Sequence, residues 1–402
     1  MHDLAHVPTL DDLSDASLAE SATFVRVDFN VPIRDGEVLD DHRLHQARAT
    51  LDELLERGAR LVLASHGGRP KGRRVPEMSL RPAAQRLAEI LGRPVRFVED
   101  CVGPAAVEAA RALAPGELCV LENLRFHAGE EANDATFAGH LAELAGAYVN
   151  DAFASAHRAH ASVDAVVRLF GQRAAGRLMH AEVAALAPLL ASPDPPFTVV
   201  LGGAKIAGKI DTVTNLLDHC QTLLVGGGMA NTFLRAQGHE LGRSKLDEGS
   251  LGLAREALRE AEAKGVEVIL PVDLVVTDRL DEPREVETVA ADGVGEDRMA
   301  VDIGPQTISR FAEIIAGSGT VFWNGPLGVF EVPPFDAGSL ALAHALASSP
   351  ARTVVGGGET GAVVALARVE SSIDHVSTGG GASLELLAGK ELPGLAALGR
   401  PA

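Results

Sequence analysis

Lysine is nearly absent from this chain. Six lysines stand against thirty arginines, together the 36 basic residues of 402, and two of the six, Lys205 and Lys209, fall in one glycine-rich segment. Cysteine is scarce too. Cys101, Cys119 and Cys220 are odd in number and lack metal-ligand spacing, which sets aside a disulfide framework or a cysteine zinc site and leaves three core-filling thiols of a reduced, cytoplasmic protein. No apolar run approaches the ~20 residues of a membrane span. The acidic start MHDLAHVPTLDDLSD lacks the basic-then-apolar order of a signal peptide. Positive charge is in deficit overall: 55 acidic residues give a formal net charge of −19. That argues against nucleic acid or an anionic membrane as partner, and it requires any site for an anionic ligand to be locally basic. Internal repeats and low-complexity tracts are missing as well.

What is present is a soluble globular composition, 46% apolar and 23% charged, on a chain too long for one ordinary core. Short β-rich apolar runs alternate with amphipathic stretches. Strands are expected at 23–28, 61–65, 117–121, 147–149, 198–201, 222–225, 266–270, 320–323, 352–355 and 375–377. Helices are expected at 41–56, 134–145, 247–263 and 338–347. This alternation implies parallel sheets covered by helices, with ligands beyond the carboxyl ends of the strands. The best boundary is Ala191-Ser-Pro-Asp-Pro-Pro196, after an alanine- and leucine-rich helix at 179–190.

The chemistry is divided along the chain. In the first 160 residues, arginines recur beside strand ends. VRVDFNVP carries Asp28 and Asn30, though alone it reads more readily as a strand-ending turn than as a site. DDHRL carries Arg43, SHGGRPKG carries His66 and Arg69, and LENLRFHAGE carries Arg125. DAFASAHRAH carries His157, Arg158 and His160, with no third ligand at zinc spacing, so Arg158 reads as a fork for phosphate or carboxylate. The second half has glycine turns between strands and helices: LGGAKIAGKI, VGGGMANTF, WNGPLGVFE, VGGGETG and VSTGGGAS. Such turns allow close backbone approach, and helix N-termini favour phosphate. LGGAKIAGKI nearly fits a P-loop through Gly203, Gly208 and Lys209, but Ile210 stands where the Mg²⁺-binding Ser or Thr belongs. On a helix, Lys205 and Lys209 would share a face and repel, as two cations gathered for an anion. No G-x-G-x-x-G occurs, so a dinucleotide fold is poorly supported. Two kinds of anion site suggest two phosphorylated ligands, one per half.

Taken together, from VRVDFNVP to TGGGASLELLAGKELPG, these motifs resemble phosphoglycerate kinases in content and order over nearly the full length. The resemblance implies an α/β fold of two doubly wound, Rossmann-like parallel-sheet domains joined by an interdomain helix and hinge. Residues 1–178 would bind 3-phosphoglycerate or 1,3-bisphosphoglycerate, 179–192 would form the helix, 193–378 would bind Mg-ADP or Mg-ATP, and 379–402 would return to the first domain. It assigns Asp28, Asn30, Arg43, His66, Arg69, Arg125 and Arg158 to the phosphoglycerate. It assigns Gly203, Lys209, Asn324, Glu331, Gly357, Gly358, Glu359 and Thr360 to the nucleotide. Arg43, Lys205 and Lys209, with backbone groups at Gly358 and Gly380, would serve the transfer, and Glu359 would hold Mg²⁺. A cytoplasmic monomer is implied. Two departures stand out: Glu359 where the family has Asp, and Gly67 where it has Leu. The competing readings are a nucleotide-binding regulator without catalysis, for which Arg43 and Lys205 would be expected to be lost, and a P-loop NTPase, opposed by Ile210.

Overall fold

A computed structural model describes residues 7–399. The chain forms two compact units: residues up to Ala184 together with those from Glu391 onward, and Ala185–Lys390. The helix Arg177–Ala191 runs through the division. Its start is capped by Asp151, whose carboxylate accepts from the backbone N–H groups of Leu178 at 3.0 Å and Met179 at 3.2 Å. Prolines at 193, 195 and 196 follow its end, where a helix cannot continue.

The first unit is built on a six-stranded parallel sheet. Its spatial order is Arg96–Val98, Leu118–Leu121, Leu61–Ala64, Thr23–Arg26, Ala147–Asn150, Gln172–Ala175. The four inner strands are buried at every position. That is why they read as unbroken apolar runs rather than alternating ones. The two edge strands carry Arg and Gln, are partly exposed, and escaped the sequence reading. The core joins Val25, Leu63, Val120 and Val149 of the sheet to Leu44, Leu51 and Leu54. The helix expected at 41–56 is two, His42–Gln46 and Arg48–Glu56, so Arg43 lies on a short helix of its own.

The second unit holds another six-stranded parallel sheet, in the order Glu267–Ile269, Thr222–Val225, Phe197–Leu201, Thr320–Asn324, Arg352–Gly356, His375–Ser377. Numbered along the chain this is 3-2-1-4-5-6, the doubly wound order whose switch point lies between its first and fourth strands. A three-stranded antiparallel sheet, Val286–Ala290, Asp273–Thr277 and Met299–Ile303, accompanies it and was not foreseen. Trp323 is fully buried in the core with Val200, Phe311 and Leu342, and its indole N–H donates to the Gly325 carbonyl at 2.8 Å.

The ten expected strands are all present, with ends within two residues. The C-terminal boundary differs from the expected 379. The helix Gly381–Leu387 stays on the second unit, where Thr212 Oγ1 donates to Leu384 O at 2.9 Å and Asn215 Nδ2 to Leu387 O at 2.8 Å. The return begins at Glu391. There the Gly394 N–H meets Ala156 O at 2.9 Å, and Arg173 donates to Leu398 O and Gly399 O. Among the described residues no helix is long and apolar enough to cross a membrane.

Candidate active site at the carboxyl ends of two sheets

In the first unit, residues from four consecutive strand ends are drawn together. Asp28 and Asn30 follow the Thr23–Arg26 strand, His66 follows Leu61–Ala64, Arg125 follows Leu118–Leu121, and Arg158 follows Ala147–Asn150. Asp28 pairs with Arg43, so the short helix is tied to the sheet by charge. Asn30 Oδ1 accepts the Gly68 N–H at 2.9 Å, and Arg125 donates to Gly68 O at 2.8 Å, fixing the SHGGRP turn from both sides. Asn123 completes that turn: Nδ2 donates to Gly67 O at 2.7 Å and to Met78 O at 2.9 Å. A Cβ at Gly67 would lie 3.3 Å from Asn123, Leu80 and Met78, so a leucine there needs a looser turn than this one. Arg69 is exposed.

The electrostatics are those of an anion site. His66 is buried, and its imidazole is held well below the usual histidine range by desolvation and by Arg26, Arg125, His160 and Arg158. His160 is pushed down to about 4 by burial and the same arginines. Two histidines kept neutral by burial, and further by surrounding guanidinium groups, sit in a local concentration of positive charge on a protein of net charge −19.

In the second unit the switch point carries the corresponding feature. Lys209 Nζ donates to Gly202 O at 3.0 Å and to Asn324 O at 3.4 Å, the ends of the first and fourth strands of that sheet. Burial lowers its pKa to about 8, opposed by the Glu359 carboxylate. The two strand ends touch through backbone. Gly202 N–H donates to Asn324 O at 2.9 Å, and a Cβ on Gly202 would lie 2.2 Å from Pro326 O. Gly325 has φ +97, and a Cβ there would stand 2.4 Å from Gly202 O. Glycine is demanded at both positions by contact, whatever binds. Gly203, with φ +89, faces Lys209 Nζ. The expected helical pairing of Lys205 with Lys209 does not occur. Residues 203–209 form bends and a turn rather than a helix, Lys209 is the N-cap of the helix Ile210–Leu216, and Lys205 is exposed.

Gly357, with φ +94, caps the helix Gly358–Ala367, and Glu359 lies exposed in its first turn. Asn324 and Thr360 are buried and engaged with backbone: Asn324 Nδ2 donates to Gly356 O at 2.8 Å, and Thr360 Oγ1 accepts the Gly325 N–H at 2.7 Å. They set the spacing of the glycine turns. Glu331 is exposed beyond the Gly325-Pro326 turn, and Gly380, with φ +54, caps the helix Gly381–Leu387.

A family model for phosphoglycerate kinase matches residues 13–390. The chain is 48% identical over 389 residues to the phosphoglycerate kinase of Chloroherpeton thalassium, covering 96% of this chain and 98% of that one. It is 50% identical over 384 residues to that of Thermomicrobium roseum, with the same coverage. The solved phosphoglycerate kinase structure from Coxiella burnetii superposes with a TM-score of 0.89 at 38% identity, over 97% of this chain and 98% of that one. The chain belongs to the phosphoglycerate kinase family. Its activity is phosphoglycerate kinase activity, a phosphotransferase step of glycolysis and gluconeogenesis, on the α/β fold with two parallel sheets described above. Phosphoglycerate kinases use a Mg-nucleotide, and the donor set here fits one. Glu359 offers an exposed carboxylate without an ion pair among the described residues, and its charge opposes the lowering of the Lys209 pKa.

Sequence reasoning missed two residues of the first site, Arg26 and Glu130. Both are charged and fully buried, at 1% and 0% exposure. In a sequence, buried charges look like surface ones. The available signal was position: Arg26 sits inside an apolar strand, where a charge must have partners. A further cluster joins Cys101 to Asp100 and His127, their ligand atoms within 4.8 Å of one another. It is closed by its own bonds, Asp100 Oδ1 accepting from His127 Nε2 at 2.7 Å and from the Cys101 N–H at 2.7 Å, while burial raises the Cys101 thiol well above its usual range.

Proposed function

We propose that the arginine- and histidine-lined strand ends of the first unit bind 3-phosphoglycerate and 1,3-bisphosphoglycerate, and that the switch point of the second unit binds Mg-ADP and Mg-ATP. The observation that carries this assignment is the gathering of cationic groups at these strand ends: burial first, then Arg26, Arg125 and Arg158, hold His66 and His160 below the usual histidine range. Such a cluster is relieved by an anion carrying both a carboxylate and a phosphate. Asp28 orients Arg43 through their ion pair, and Asn30 and Arg125 brace the Gly68 turn. Arg69 remains exposed for a ligand.

An acyl phosphate is already activated, so the transfer needs no protein nucleophile, only positioning and neutralisation of charge. Lys209 holds nucleotide phosphates. Binding a phosphate restores to its ammonium the counter-charge that burial denies it. Gly203 lets the backbone approach, and Gly357 and Gly358 open a helix N-terminus toward phosphate, with Gly380 opening another. Asn324 and Thr360 serve the nucleotide by holding these turns apart at fixed spacing, and Glu331 takes ribose hydroxyls. Arg43 and Lys205 neutralise the phosphoryl group in transit. Mg²⁺, held by Glu359 and nucleotide oxygens, would supply charge neutralisation between carboxylate and phosphate. The protein acts as a cytoplasmic monomer, without nucleic acid or membrane as partner; sedimentation checks the monomer. The residue assignments are tested by titration calorimetry. Arg125→Ala should weaken 3-phosphoglycerate and spare Mg-ADP, and Lys209→Ala the reverse. Parallel losses of both ligands in either variant would refute the division.

A further inference from the structure

Arg26 closes the Thr23–Arg26 strand with its guanidinium enclosed. A guanidinium only donates, so every partner atom must accept. Its Nε donates to Ser162 Oγ at 2.8 Å, one terminal nitrogen donates to the Val27 carbonyl, and the other meets His66 Nδ1 at 3.1 Å. The far end of this chain of bonds is equally directed. Glu130, also buried, takes the Ser162 hydroxyl proton at 2.6 Å and the Ser162 N–H at 2.9 Å, one on each oxygen. Tyr148 donates to the Ser162 carbonyl at 2.9 Å and holds that residue in place. With its one proton given to Glu130, the Ser162 hydroxyl must accept from Arg26. Arg26 in turn must offer an N–H to His66, so Nδ1 carries the lone pair and the neutral ring carries its proton on Nε2. Among the described residues Nε2 has no protein partner.

We infer that Glu130 and Ser162, acting through Arg26, are positioning residues that lock His66 in the Nε2–H tautomer, so that its ring donates a hydrogen bond to a carboxylate or phosphate oxygen of the phosphoglycerate. The tautomer decides the sign of that contact. The opposite one would turn a lone pair toward an anionic oxygen. Ionisation of the ring is opposed first by its burial and then by Arg26, Arg125, His160 and Arg158, with Glu130 behind Arg26 and committed to Ser162. The inference rests on the assignment of His66 to the phosphoglycerate site.

The test is ring-¹⁵N NMR of the full chain carrying labelled histidine, without ligand, between about pH 6 and 8.5, the range in which a free imidazole changes charge. His66 should show an unprotonated Nδ1 and a protonated Nε2 throughout. A protonated Nδ1, or a ring titrating near its usual ~6.5, overturns the lock without any variant. Arg26→Met should release the ring to mixed tautomers. It should also raise KM for 3-phosphoglycerate about tenfold, the ratio for one hydrogen bond to a charged group, with KM for Mg-ATP unchanged. Ser162→Ala should move both readouts the same way, and Ser162→Thr, which keeps the hydroxyl, should restore them. Equal rises in both KM values, or a wild-type tautomer in Arg26→Met, count against the inference. His66→Ala separates the two readings. If it leaves the 3-phosphoglycerate KM unchanged, the substrate assignment fails. If it raises that KM while the wild-type ring proves to be Nδ1–H, only the lock fails.

Discussion

Removing the charge of Lys209 should stabilise the ligand-free protein while crippling nucleotide binding. The ammonium sits between strand ends with its pKa lowered to about 8 from 10.5, first by burial, with Glu359 only partly offsetting it. At ~1.4 kcal/mol per unit the folded protein bears at most ~3.5 kcal/mol for holding this charge at neutral pH. The part-exposed side chain and the lost ~1 kcal/mol bond to Gly202 O reduce the expected net gain of Lys209→Met to ~1–2 kcal/mol. On a unit of about two hundred residues that is a Tm increase of roughly 2–8 °C. The pH dependence has a definite sign. Below about 8 the lysine is protonated in both folded and unfolded chains, and the cost is fully present. From there up to 10.5 the unfolded chain binds more protons, so wild-type stability from this group rises with pH and the advantage of the variant shrinks to nothing. Mg-ADP should bind the variant ~10–100-fold more weakly, the ratio for a lost charge-assisted bond. Scanning calorimetry at neutral and at strongly alkaline pH, with and without Mg-ADP, measures all three. A variant that melts earlier than wild type at neutral pH without ligand would refute the reasoning, as would a Tm gain that persists at alkaline pH.

Arg43→Ala should lower kcat by ~10³-fold or more with little change in 3-phosphoglycerate affinity, by analogy with other arginines that meet a moving phosphoryl group; steady-state kinetics showing near-normal kcat would remove that role. Glu359→Gln should keep the fold and ligand-free Tm but raise the Mg²⁺ concentration for half-maximal rate, while Glu359→Asp stays active; an unchanged Mg²⁺ dependence would reduce Glu359 to a helix-start residue. Gly202→Ala should cost ~2–4 kcal/mol in urea unfolding, because its Cβ would stand 2.2 Å from Pro326 O; wild-type stability would mean that the strand ends part easily.

The two sheets were legible in the sequence because their inner strands are buried on both sides. Phe24-Val25 or Leu61-Val62-Leu63 can then be apolar without interruption. The edge strands were not, since Gln172 is exposed, Arg173 is half-buried against backbone carbonyls, and the pair carries no such run. The antiparallel sheet was lost for a related reason: Val286–Ala290 is largely exposed and carries no unbroken apolar run. Site residues were legible where they follow a strand directly. His66, Arg125 and Gly357 are one to four residues past the last paired position, and parallel strands point all such ends the same way. Side-chain direction was not legible. The i,i+4 spacing of Lys205 and Lys209 suggested a shared helical face, yet bends and turns separate them, leaving one exposed and one half-buried.

Least legible of all was the polarity of the buried bonds. Arg26, Ser162 and Glu130 lie far apart in the chain, and nothing in their spacing says that a proton on Ser162 faces Glu130 rather than Arg26. That direction follows only from counting donors against acceptors once the three are in contact. It has a functional cost attached. A cation-lined site on a protein of net charge −19 keeps its own histidines unprotonated, first by burial and then by the charges gathered around them. Such a site cannot rely on imidazolium to donate. It must fix neutral imidazole in the donating tautomer, and that requires a committed donor behind the ring with its own counter-charge behind it. Arg26 and Glu130 occupy those two places, which gives a physical reason for burying a charged pair where two apolar side chains would have been cheaper to enclose.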